Sequence, residues 1–131
     1  MAWVGIVIII ALFEYFGFGL AVARARGRYN CPAPATSGHE MFERYYRVQM
    51  NTLEQLALFI PALVLFAWVI DPRWAAALGA IWIVGRLIYF RSYVRDPRTR
   101  ALGFAMTALP SLGMLGVTLV ALVIEVARTG G

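Results

Sequence analysis

Phe42-Glu43-Arg44-Tyr45-Tyr46-Arg47-Val48-Gln49-Met50-Asn51-Thr52-Leu53-Glu54 runs without a break into Gln55-Leu56-Ala57-Leu58-Phe59-Ile60-Pro61-Ala62-Leu63-Val64-Leu65-Phe66-Ala67-Trp68-Val69-Ile70. The second half is apolar almost throughout and belongs in lipid. The first half loads polar groups onto the entry of the same helix. At about 100° per residue, Arg47, Asn51 and Glu54 fall within about 60° of one another, with Arg44 at the edge of the stripe. An ionisable side chain inside a bilayer costs roughly 2.5–3.5 kcal/mol on insertion scales, so a row of them requires a partner or a ligand. Function is expected on that stripe.

The whole chain repeats the message of this stretch. Of its 131 residues, 61% are hydrophobic, against about 45–50% in soluble domains. The composition implies an all-α integral membrane protein with a single four-helix domain spanning residues 1–131. All twelve basic residues are arginine. A guanidinium stays protonated and grips carboxylates bidentately, which suits fixed anion recognition better than proton transfer. The net charge of +5 is no nucleic-acid signature, because the arginines sit at helix ends and not on a soluble face. Cys31 is alone, which excludes an internal disulfide, and the single His39 argues against a metal site.

Four apolar segments are separated by punctuation. The first covers about 3–27; its Ala21-Val22-Ala23 end imitates a signal-peptidase site, but it lacks a positive leading region and is read as a retained membrane helix. Tyr29-Asn30-Cys31-Pro32-Ala33-Pro34-Ala35-Thr36 is a loop, since two prolines exclude helix. Ser37-Gly38-His39-Glu40 reads as a capping box opening a helix over 38–70. Asp71-Pro72 caps a third helix over 72–95, and Asp96-Pro97 repeats the device for a fourth over 97–128. Gly103, Gly113 and Gly116 suggest close helix approach in the fourth segment.

Arginine counting sets the orientation. Ten arginines (24, 26, 28, 44, 47, 86, 91, 95, 98 and 100) lie towards the first and third loops and two (73 and 128) towards the other face. The positive-inside rule then puts those loops in the cytoplasm and both termini outside, in a bacterial inner membrane or its equivalent. The third helix carries a second stripe, Arg86, Tyr89 and Tyr93, at spacings i, i+3 and i+7. Arg100 follows near the start of the fourth helix. Snorkelling arginines with an interfacial tyrosine belt give the same pattern. Two stripes converging on one membrane face together with Arg26 favour an anion site.

Phe42-Glu43-Arg44-x-x-Arg47-x-Gln49-x-Asn51-x-x-Glu54, followed by Gly85-Arg86-Leu87-x-Tyr89-Phe90-x-x-Tyr93, resembles the family of membrane-associated proteins in eicosanoid and glutathione metabolism (MAPEG). The resemblance runs in register from the second helix to the start of the fourth. It implies a homotrimer of four-helix subunits with glutathione, as co-substrate, bound between neighbours near the cytoplasmic face. Arg47, Asn51, Glu54, Tyr89 and Tyr93 match glutathione-contacting positions, with Gln49, Arg26 and Arg86 as further contacts. Arg100 matches the arginine that activates the thiol in catalytic members. Glutathione carries two carboxylates, for Arg26 and Arg47, and an ammonium for Glu54. Gln55 and Gly27 stand where leukotriene C4 synthase-like members have a tyrosine and a second arginine. The resemblance therefore implies a general microsomal transferase or peroxidase, acting in detoxification on lipophilic electrophiles drawn from the bilayer.

Two other classes compete. Some members of such a family bind lipid or a partner protein without catalysis; retention of Arg100 and both tyrosines argues against that. A small multidrug transporter also has four helices and a membrane-embedded glutamate in the first, the place of Glu14 here. Such a transporter has no need of the stripe on the second helix, and Glu14 is expected to be an interhelical hydrogen-bond partner.

Overall fold

A computed structural model describes all residues, Met1–Gly131. It contains four long helices and no strand: α1 (Ala2–Arg28), α2 (Glu40–Val69), α3 (Pro72–Arg95) and α4 (Ala101–Thr129). Each is long and apolar enough to cross a membrane. The chain is an integral membrane protein. At about 1.5 Å per residue α2 is roughly 45 Å long, so its polar first turns extend beyond a hydrocarbon core of about 30 Å.

The caps explain the corners. The Asp71 carboxylate accepts from the Arg73 amide at 2.7 Å, and Pro72 fills the first helical position, so α2 and α3 are joined by two residues. The opening of α2 differs from the sequence expectation. Its N-cap is His39, whose Nδ1 accepts from the Met41 amide at 3.0 Å, and not Ser37. The reach-back to the chain before the helix comes from Glu43, which accepts from the Gly38 amide at 3.3 Å, while Glu40 pairs with Arg44 at 2.6 Å. Past Asp96 the chain also departs from expectation. Pro97–Thr99 form a single 3-10 turn, and α4 begins only at Ala101 with Arg100 as its N-cap residue.

The core is layered along the bundle. Deep in the membrane, Phe59 of α2 stacks on Trp82 of α3 at 4.3 Å, both fully buried, against Val4, Val7 and Ala11 of α1. Nearer the arginine-rich end, Phe18 of α1 stacks on Phe90 of α3 at 4.8 Å, beside buried Val48 and Tyr89. Two glycines let α3 and α4 touch. A Cβ on Gly103 would lie 2.6 Å from Tyr89 Cα, and one on Gly85 would lie 2.6 Å from Met106 Cβ. Gly113 and Gly116 play no such part within the chain; nothing lies within 4 Å of a Cβ placed there.

Candidate functional site

Where α3 approaches α4 at the arginine-rich end, a groove of about 650 Å³ opens. Arg47 and Asn51 of α2, Tyr89 and Tyr93 of α3, and Arg98, Arg100 and Phe104 from the α3–α4 junction line it. Helical spacing singles out four of these residues in advance and the family resemblance a fifth, Arg100, with Arg98 and Phe104 being the additions. Arg98 is legible only as a charge near a turn, because its direction depends on the 3-10 geometry. There the Asp96 carboxylate accepts from the Arg98 amide at 3.1 Å and from the Arg98 guanidinium at 3.2 Å. The Arg98 side-chain bond is the main reason the Asp96 carboxyl is held below its ordinary range.

Arg47 and Tyr93 face the groove from opposite helices. The Tyr89 and Tyr93 rings stack at 5.5 Å. Glu54 sits at the rim and meets Arg47 at 3.6 Å with both side chains more than half exposed. A pair at 3.6 Å that is open on one side leaves either partner free to exchange the other for a ligand charge. Arg100 is exposed, and its Nη1 donates to the Pro97 carbonyl at 2.8 Å, which holds the guanidinium at the corner above Tyr93 and Phe104.

Arg86 corrects the sequence reading, which makes it a ligand contact. Its side chain is fully buried and lies outside the groove lining. Nη1 donates to Asn51 Oδ1 at 2.8 Å and to Thr52 Oγ1 at 3.2 Å, and Nη2 donates to Thr107 Oγ1 at 3.2 Å. Thr52 and Thr107 give their own hydroxyl protons to the Val48 and Phe104 carbonyls, which turns their lone pairs towards the guanidinium. The Tyr89 ring caps it at 4.2 Å. Arg86 thus reaches the groove through Asn51 and beneath the Tyr89 ring. With Oδ1 occupied, Asn51 has its amide N–H groups left to offer.

Within one chain, Arg26 and Gln49 lie apart from the groove. The Arg26 guanidinium donates to the Cys31 and Ala35 carbonyls at 3.2 and 2.7 Å and lies 4.9 Å over Phe42, pinning the first loop to α1. Gln49 turns about 200° from Arg47 around α2 and abuts Gly19 of α1. Both sit on the α1 side of the chain, away from the groove. Glu14 departs from expectation: its carboxylate oxygens are enclosed but hydrogen-bond to no other residue of the chain. It lies between Ala11 and Phe18 on α1, so it shares a level with Thr52–Gln55 and Trp82–Arg86.

The arrangement suits one kind of molecule. Arg47 and Arg100 offer positive charge, Asn51 a fixed amide, two tyrosines their hydroxyls, and Glu54 a single negative charge at the rim. A polar, multiply charged molecule with carboxylates and an ammonium matches that set.

Known proteins are similar to this chain. Residues 4–120 match the model of the MAPEG family. An uncharacterized protein of Synechocystis sp. is 42% identical over 112 residues, covering 86% of this chain and 82% of that protein. Human microsomal glutathione S-transferase 2 is 34% identical over 94 residues, covering 68% of this chain and 64% of the human protein. Bovine leukotriene C4 synthase is 37% identical over 90 residues, covering 64% of this chain and 59% of the bovine one. The matched region thus spans less than two thirds of the human and bovine proteins. With four apolar helices and a family match over nearly the whole chain, this protein belongs to the MAPEG family.

Proposed function

We propose that the protein is a membrane-bound glutathione transferase, with peroxidase chemistry open to the same thiolate, acting on lipophilic electrophiles that arrive through the bilayer. The observation that carries this is the meeting of Arg47, Asn51, Tyr89, Tyr93 and Arg100, from three separate elements, in one groove. The names of the human and bovine relatives support it, since both are enzymes of glutathione or leukotriene C4 chemistry. Arg47 takes a glutathione carboxylate, Glu54 its ammonium, and Asn51 a backbone carbonyl.

The chemical step is attack by sulfur on an electrophilic carbon, forming a C–S bond as the leaving group departs or a proton is taken up. Arg100 cannot act as base, because a guanidinium remains protonated. It stabilises the thiolate. Lowering a thiol from its usual value of about 8.5 by about two units takes roughly 2.7 kcal/mol, which a thiolate bound directly against the guanidinium can supply once the ligand displaces water from it. Cytoplasmic placement of the groove and a homotrimer complete the proposal. In a trimer, the α1 side bearing Arg26 and Gln49 is the face one copy would turn to its neighbour's groove. Family membership removes the reason to read Glu14 as a transporter's carboxylate.

The test is glutathione binding by calorimetry on protein in lipid nanodiscs, followed by conjugation of a generic electrophile. Binding with turnover is the expected result. Arg47→Ala should weaken binding by about 1.5–3 kcal/mol, the range for a charge-assisted contact. Wild-type protein that binds glutathione without turnover would favour a non-catalytic member, and no binding at all would end the proposal.

A further inference from the structure

A second crevice, of about 900 Å³, opens at the same end of the bundle on a different side of α3. Arg44, Phe90, Arg91, Ser92, Arg95 and Thr99 line it, and it shares Phe90 with a smaller cavity of about 240 Å³ that adds Arg24 and Arg28 of α1. The acids nearby are already paired. Glu40 holds Arg44 at 2.6 Å, and Asp96, which also lines the crevice, holds Arg98 at 3.2 Å. Arg91 and Arg95 are exposed and make no ion pair.

The wall is rigid where it matters. Arg44 Nη1 donates to the Val94 and Arg95 carbonyls at 3.0 and 3.1 Å, tying α2 to the end of α3, while its Nε is buried with no partner. Arg95 is the last residue of α3, and Arg91 lies one turn deeper, about 6 Å. That span equals the thickness of the headgroup layer, which adds roughly 5–7 Å to each side of the hydrocarbon core, so a membrane helix ending at Arg95 carries both arginines within it. Four and seven residues before Arg91, on the same face, Leu87 and Val84 are 50% and 48% exposed. Unpaired cations at headgroup depth above a bare apolar strip match an anion with a hydrocarbon tail.

We propose that this crevice is a headgroup site for an anionic phospholipid, with Arg91 and Arg95 holding the phosphate and the Leu87–Val84 strip carrying an acyl chain. The site is independent of what the groove binds. Free phosphate would gain nothing from Leu87 and Val84, and the apolar strip is what singles out a lipid.

Native mass spectrometry of protein from nanodiscs holding equal phosphatidylglycerol and phosphatidylcholine tests this. The wild type should retain phosphatidylglycerol preferentially. Arg91→Gln/Arg95→Gln should cut that retention by about 25-fold, from about fivefold per arginine at a charged surface, and leave phosphatidylcholine unchanged. Melting supplies the second measurement: phosphatidylglycerol should raise the wild-type Tm and not that of the variant, with both melting alike in phosphatidylcholine. Should the double variant not fold, Arg91→Gln alone should show the fivefold loss. Equal retention of the two lipids by the wild type, or unchanged retention by the variant, overturns the proposal. So does inorganic phosphate reproducing the stabilisation, which would mark a free-anion site. A changed oligomeric mass in the variant would assign the crevice to a second copy of the chain and overturn it too.

Discussion

A guanidinium enclosed among four helices of a membrane protein must be held by everything around it, and Arg86 is held on three sides by Asn51, Thr52 and Thr107. Lysine has one nitrogen in place of that fork and cannot reach all three. Arg86→Lys should therefore free the Asn51 amide and weaken glutathione binding by about 1 kcal/mol, the worth of one hydrogen bond, or roughly fivefold. Turnover at saturating glutathione should stay near wild type; a fall in kcat without a rise in KM would contradict a positioning role. Arg100 should behave in the opposite way. A group that stabilises only the thiolate contributes to the reactive state and little to ground-state binding. Arg100→Ala should lower turnover by about 10- to 100-fold, for about 1.4–2.7 kcal/mol lost, and raise the pH at which bound-thiolate absorbance appears. Wild-type turnover and thiolate titration in that variant would remove Arg100 from the chemistry. Helical arithmetic exposes the Arg47–Asn51–Glu54 stripe because those residues share one helix. It is silent on Arg86, Arg26 and Gln49, because an azimuth on one helix does not say which neighbour lies there.

At the scale of elements, the α3–α4 junction governs the groove, and it is where the sequence is least legible. Asp96-Pro97 looks like Asp71-Pro72, and both aspartates do cap the following amide. The difference lies in Thr99, whose hydroxyl donates to the Ser92 and Asp96 carbonyls at 3.1 and 2.8 Å and closes a 3-10 turn in place of a helix start. Asp96 has its carboxyl held below the ordinary value by Arg98. A lowered carboxyl contributes stability above its unfolded pKa and loses it as pH falls through the folded one. The junction should therefore loosen only in acid, below the ordinary carboxyl value of 3.8. Protection of the amides of residues 98–101, relative to their intrinsic exchange rates, should fall there in the wild type, and in Asp96→Asn this pH dependence of protection should vanish. Gly103 is the other control point. Its neighbour is the Tyr89 backbone, which cannot swing aside. Gly103→Ala should cost about 1–3 kcal/mol of overpacking, read as a lowered Tm, and weaken glutathione binding by displacing Tyr89. Gly113→Ala, with open space in the chain, serves as its control. A small residue in a helix is visible in sequence; which of three glycines touches a neighbour is a tertiary fact.

At the scale of the molecule, Leu119, Val120, Val123, Ile124 and Val126 are each more than half exposed, so one chain presents a broad apolar face that lipid or further copies must cover. The groove itself is open on one side, where Arg47 and Glu54 are 54% and 59% exposed. Composition makes the four-helix membrane class legible, but assembly depends on matching two surfaces of the same chain, and no helical wheel contains that relation. The trimer proposal places Arg26 and Gln49 of one copy against Arg47 and Arg100 of the next, and subunit mixing tests it directly. One subunit carries Arg100→Ala; the other carries Arg26→Ala/Gln49→Ala, and each alone should be weakly active. If every site joins two chains in a closed ring, random mixing in equal amounts gives about one site in four with both faces intact, so activity should recover to about a quarter of wild type. If each site lies within one chain, Arg26→Ala/Gln49→Ala leaves its own groove intact, so that parent should be nearly as active as wild type and the mixture should show only the average of its two parents. Recovery must also vanish when both sets of changes are placed in the same subunit and mixed with itself, because no intact face then remains. An Arg26→Ala/Gln49→Ala parent that is active alone, with a mixture no better than the average of its parents in particles shown by native mass spectrometry to contain both subunits, would place the whole site in a single chain and leave Arg26 as a clamp on the first loop.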